Sequence, residues 1–202
     1  MMESHSIARL QAAQRPEAAE VLTRAFADDP IYTYVLPDRD IRLRATHRMW
    51  EALLAAALRY GEVYTTPTRQ GVACWMAPGR TEITLAQSAR TGFGLMRAIL
   101  AFPPASRQRF LGIARHTDEL RRRDMQRLFW YLWVIGVVPA CQGHGIGSQL
   151  MQPVLARADV SDDLCVGTVV LRACHRLSAT GVVPWEGPRT ALETDPPSTA
   201  DH

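Results

Sequence analysis

The sequence predicts one α/β or α+β domain in which a single sheet carries helices on both faces. Two observations lead there. Alternating or apolar strand-like runs are interspersed with segments of helical periodicity along all but the last part of the 202 residues. The most strand-like run, Trp130 to Val138, ends at Pro139 and passes through alternate glycines, Gly143, Gly145 and Gly147, into a helical pattern. A hydrophobic content of 47% and a charged content of 21% are those of a globular chain long enough to build a core.

Ile7 to Leu10 alternates like a short first strand. Pro16 suits the first turn of a helix whose apolar positions Ala18, Ala19, Val21, Leu22, Ala25 and Phe26 recur at helical spacing. Asp28-Asp29-Pro30 stops it. Asp38 can cap a second helix over Arg39 to Tyr60, and Gly61 ends it as a C-cap glycine would. Glu62 to Thr66 and Gly71 to Met76 read as two strands joined by a turn. Helices follow over Thr84 to Ala101 and Ala105 to Asp124, broken at Pro103-Pro104. The last clear pair is the strand at Trp130 to Val138 and a helix over Gly145 to Ala158. Cys165 to Leu171 can form one more strand. No internal repeat stands out.

The formal net charge of +3 demands neither nucleic acid nor membrane as a partner, and it does not repel an anionic ligand. All 23 basic side chains are arginine, and the chain lacks lysine and asparagine, which excludes a lysine Schiff base and Asn-linked glycosylation. Cys74, Cys141, Cys165 and Cys174 have no paired metal spacing and suit a reducing cytoplasm. The N-terminus lacks a basic region followed by an apolar one, so no signal peptide is expected. The apolar stretches are too short to span a bilayer.

Gln142-Gly143-His144-Gly145-Ile146-Gly147 is the most specific segment. Glycines permit positive φ and a close approach of ligand to backbone. Successive amides at a helix N-terminus bind a phosphate or pyrophosphate, helped by the helix dipole. Gln142 can close the mouth with its amide, and Ser148 offers one more donor. A P-loop is excluded because it needs a lysine, and the late position and glycine spacing disfavour a Rossmann dinucleotide site.

Val137-x-Pro139-x-x-Gln142-Gly143-x-Gly145-x-Gly147-x-x-Leu150 resembles the acetyl-CoA signature of the GNAT superfamily of N-acyltransferases. Ala25 to Pro30, Pro37-Asp38-Arg39 and Ala73 to Pro78 resemble the N-terminal half of GNAT enzymes of the puromycin N-acetyltransferase type. The resemblance implies a mixed, mostly antiparallel sheet flanked by helices. It implies acetyl transfer from acetyl-CoA to an amine of a small molecule by direct attack. Ile135 and Val137 would pair with the pantetheine arm, and the Val137 amide would hold the developing oxyanion. Gln142, Gly143, His144, Gly145, Ile146, Gly147 and Ser148 would hold the pyrophosphate. No metal is implied, and no nucleic-acid or membrane partner is expected.

The resemblance covers about Ile7 to Asp159 and then weakens. The family's second half carries an Asn and a Phe-Tyr-x-x-x-Gly-Phe segment whose tyrosine often protonates the leaving thiolate. Here the last Phe is Phe129 and the last Tyr is Tyr131, so that acid has no counterpart. Residues 1–159 therefore form the expected acetyl-CoA-binding domain. Residues 160–202 form a segment that is either divergent or, through a frame lost near Val160, unrelated to its ancestor, with incomplete C-terminal strands. The general base is open among Glu62, Glu82, His47 and Tyr131. The alternatives to an enzyme are an acyl-CoA-binding protein without efficient turnover and an arginine-rich module for nucleic acid or protein. Arg121-Arg122-Arg123 can meet a ribose phosphate or nucleic acid, or simply form a solvated helix end. Alternation places Tyr131 and Trp133 on one face of their strand and Trp130 on the other.

Overall fold

The computed structural model describes residues 6–78, 93–124, 129–161, 164–168 and 182–184. Six strands form one sheet in chain order: β1 Ala8–Arg9, β2 Gly61–Thr65, β3 Gly71–Met76, β4 Phe129–Val137, β5 Leu164–Thr168 and β6 Val182–Pro184. The pairs from β1 to β4 are antiparallel, β4 and β5 are parallel, and β5 and β6 are antiparallel. The sheet is thus mixed and mostly antiparallel. Of the predicted elements, residues 84–92 and 169–171 lie outside the described residues.

Helices α1 (Arg15–Ala25) and α3 (Arg39–Tyr60) cover one face. Leu22, Leu53, Leu54 and Trp50 lie there in one buried cluster with Val72, Cys74 and Val134 of the sheet. Helix α6 (Ile146–Ser161) connects β4 to β5 and covers the other face, where Ile146, Leu150 and Val154 join Ala73, Trp75 and Leu132. The short helix α4 (Gly94–Leu100) packs against α3, while α5 (Pro104–Asp124) packs against α2 (Pro30–Val35).

Helix α3 starts where the sequence places it, with the Asp38 carboxylate accepting from the Ile41 amide at 2.8 Å. Helix α2 is not in the sequence reading. Asp28-Asp29-Pro30 does end α1, but Asp29 then accepts from the amides of Ile31 and Tyr32 and caps a new helix with Pro30 in its first turn. The corner is held by Arg42, buried in α3. Its guanidinium donates to the carbonyls of Ala27, Leu36 and Pro37 at 2.8, 2.7 and 2.9 Å. These carbonyls follow the ends of α1 and α2, where the helix dipoles favour a cation.

Gly61 is not a left-handed cap. Its φ is −142°, and it already belongs to β2. Glycine is needed for a different reason: a Cβ there would lie 2.0 Å from the Trp75 carbonyl oxygen of the neighbouring strand.

Strand β4 carries an irregularity. Cys74 pairs with Val134 and Trp75 with Leu132, so Trp133 is the extra residue of a bulge. Phe129, Tyr131, Trp133 and Val134 all lie toward the α1–α3 face, and Gly136 follows them there against Leu22, Ala25 and Phe26. Trp130, Leu132, Ile135 and Val137 lie toward α6. The expected split between Trp130 and the pair Tyr131 and Trp133 agrees with this arrangement.

Candidate functional site

The segment between β4 and α6 is a chain of backbone donors. A turn of 3₁₀ helix, Pro139–Cys141, leads into it. Gly143 and Gly145 then adopt φ of 82° and 78°, the left-handed region that glycine enters without penalty. Left-handed residues alternating with ordinary ones curl the backbone into a concavity that collects its amides. Gln149 is the first residue to donate into the helical pattern, to Gly145 at 3.1 Å, so the N-terminal amides of α6 have no acceptor within the helix.

Side chains keep this concavity in place and clear. Ile146 and Leu150 are buried against the sheet. A Cβ on Gly143 would have nothing within 4 Å, which leaves open space beside the backbone. His144 and Ser148 are exposed. Gln142 departs from expectation. Its amide donates to the Val137 carbonyl at 2.9 Å, so the side chain ties the turn to the strand instead of closing the mouth. The Val137 carbonyl attracts it because the strand ladder leaves that edge open.

That open edge is the second feature of the site. Strand β5 pairs with β4 only from Phe129 to Leu132. Farther along, Val138 donates its amide to the Gln70 carbonyl at 2.8 Å, on the β3 side. Successive residues of a strand direct their backbone groups to opposite edges. Ile135 and Val137 therefore aim their amides and carbonyls away from β3, and the Gln142 bond to the Val137 carbonyl lies on that side. The turn and the open edge meet at the C-terminal end of β4.

The candidate bases are dispersed. Glu62 is unsuited to the role. Arg157 grips both of its oxygens, at 3.1 and 2.5 Å, Arg9 binds one at 2.5 Å, and the Tyr64 hydroxyl donates at 2.7 Å. Burial works to raise the Glu62 carboxyl, but the hydrogen bonds from Arg157 and Tyr64 and the two arginine charges together hold it below its ordinary value of 4.5. Tyr131 is buried, with the Phe129 ring edge-on at 6.2 Å. His47 lies in the groove between α1 and α3, 3.6 Å from Glu20. Glu82 and the side chains of Arg121-Arg122-Arg123 lie outside the described residues. Among the described residues no helix is long and apolar enough to cross a membrane.

Residues 106–175, which include the strand, the turn and α6, match the model of the Acetyltransferase (GNAT) family. The match over this stretch supports a GNAT acetyltransferase. The chain is 28% identical over 157 residues to an uncharacterized N-acetyltransferase of Schizosaccharomyces pombe, an overlap covering 75% of the chain and 63% of that protein. It thus spans less than two thirds of its relative. Its fold is similar to a Corynebacterium glutamicum crystal structure described as histone acetyltransferase HPA2 and related acetyltransferase. The TM-score is 0.57 at 21% identity, covering 81% of this chain and 76% of the other. The family match runs past Asp159 into β5.

Proposed function

We propose that the chain is an acetyl-CoA-dependent N-acetyltransferase acting on an amine of a small molecule. The observation that carries this reading is the junction of two left-handed glycines, Gly143 and Gly145, with a strand edge that β5 leaves unpaired beyond Leu132. The first suits a diphosphate, and the second suits an extended arm with amide groups of its own. Gly143, His144, Gly145, Ile146, Gly147 and Ser148 supply backbone donors to the diphosphate, with Gln142 holding the turn in place. Ile135 and Val137 pair with the arm.

The chemistry then requires little covalent help. The amine nitrogen attacks the thioester carbonyl, a C–N bond forms, the C–S bond breaks, and the thiolate takes up the proton that the amine releases. In this reading the Val137 amide stabilises the oxyanion, and positioning supplies much of the remaining rate. Solvent or an unassigned side chain moves the proton. Residues 1–159 are read as the acetyl-CoA-binding part, residues 160–202 as a divergent extension, and the setting as a reducing cytoplasm.

Acetyl-CoA at a hundred times its Kd should stabilise the folded chain by about 2.7 kcal/mol, seen as a raised Tm, while unrelated nucleotides leave it unchanged. Thiol release across a panel of small amines should then reveal turnover. Stabilisation without thiol release from any amine identifies an acyl-CoA-binding protein. No Tm change at saturating acetyl-CoA defeats both readings.

A further inference from the structure

A groove of about 730 Å³ lies between the outer faces of α1 and α3, and Pro139 and Ala140 contribute to its lining. Its lining is unusually rich in arginine. Arg24 comes from α1, and Arg39, Arg44 and Arg48 come from α3. The two acids in the lining are already engaged: Asp28 pairs with Arg39 at 3.1 Å, and Glu20 lies 3.6 Å from His47. Arg24, Arg44 and Arg48 have no acidic partner among the described residues. Arg24 sits in the last turn of its helix, where the dipole favours it. Arg44 and Arg48 have no such reason. They are one turn apart on α3, a spacing at which like charges destabilise a helix.

The groove also adjoins the turn. Ala140 lies three residues before Gly143, which three residues of chain place within about 11 Å of each other. We propose that the α1–α3 groove binds a phosphate monoester, the 3′-phosphate on the adenosine end of the CoA whose diphosphate sits on the Gly143–Gly147 turn. One ribose separates these phosphates in CoA, so a ligand held at the turn delivers the monoester toward the arginines. This assignment rests on the acetyl-CoA reading above. It gives Arg44 and Arg48 the task of distinguishing CoA from its 3′-dephospho form, and neither residue touches the reacting atoms.

The test compares CoA with 3′-dephospho-CoA by calorimetric titration, on the full chain and on an R44Q/R48Q variant. The wild type should bind CoA about fivefold more tightly or better, the scale of two exposed charge-assisted contacts, and the preference should shrink as salt is raised. The variant should bind both forms with nearly the same affinity and keep the wild-type Tm within a few degrees. Equal affinities in the wild type, or a preference that survives in the variant, overturn the groove assignment while leaving the turn intact. Failure of either ligand to bind overturns the acetyl-CoA reading and this inference together. Titration with 3′-AMP separates a free monoester from a tethered one. Saturable 3′-AMP binding that the variant loses, without any preference for CoA over its dephospho form, overturns the tethered assignment.

Discussion

Gly143, Gly145 and Gly147 occupy one motif but serve different ends. The first two are held at φ of 82° and 78°, where an L side chain is strained. Gly147 lies in the first turn of α6, and a Cβ there would meet only Ile135 Cδ1, at 3.8 Å. A side chain at Gly147 thus disturbs a ligand more than the protein. Gly147→Glu should cut acetyl-CoA affinity by at least about tenfold, since it sets a carboxylate among the amides proposed for the diphosphate. The Tm should move by only a few degrees. Gly145→Glu makes a poorer test, because it strains the backbone as well. Unchanged acetyl-CoA affinity in Gly147→Glu would remove the turn from the site. The glycine spacing was legible because few other residues permit such a turn. The task of Gln142 was not, because its partner is the Val137 carbonyl, and only the sheet edge shows that this carbonyl lies within reach.

Strands β1 and β2 and helix α6 meet at Glu62, whose side chain is 14% exposed. Arg9 and Arg157 are 60% and 44% exposed, so solvent weakens both pairs. Glu62→Gln should therefore cost about 1–2 kcal/mol at neutral pH, at and just below the lower end of the range for hydrogen bonds to a charged group. The pH dependence has a definite sign. The folded-state carboxyl lies below its ordinary 4.5, so its stabilisation is complete above that value and is lost as pH falls through the lower folded value. Thermal melts of both proteins from pH 7 to pH 3 should show a gap that is steady at first and narrows below about pH 4.5. A gap constant to pH 3 would mean that Glu62 acts through packing. At this scale α3 was legible through the spacing of its apolar residues and its Asp38 cap. Helix α2 was hidden because Asp29-Pro30 is both a stop signal and a cap. The same local chemistry served either way, and the tertiary bonds of Arg42 helped fix the outcome.

The whole molecule joins a helical layer to the sheet at Gly136. A Cβ there would lie 2.9 Å from Leu22 Cδ2, 3.0 Å from the Ala25 Cβ and 3.1 Å from Phe26 Cε2. Gly136→Ala should cost about 1–3 kcal/mol as an overpacked contact, or roughly 2–4 °C in Tm for each kcal/mol in a chain of this size. A Tm equal to that of the wild type would show that α1 shifts freely on the sheet. The sheet with helices on both faces was legible because the apolar periods change along the chain. The parallel docking of β5 on β4 was not, since strand order depends on contacts across 35 or more residues rather than on any local pattern.

The extra residue at Trp133 sets the phase of everything after it. Upstream, odd-numbered side chains lie toward α1 and α3; downstream, even-numbered ones do. Deleting Trp133 would make Leu132 and Val134 neighbours opposite Trp75 and Cys74, leaving the ladder regular and every remaining side chain on its present face. Threading Trp133 into the ladder as an ordinary residue would instead shift residues 129–132 by one if Ile135 and Val137 are to keep their places, which would turn the Tyr131 ring from the α3 side to the α6 side. A strand without this one-residue offset could satisfy the core or the open edge, but not both in the present sequence.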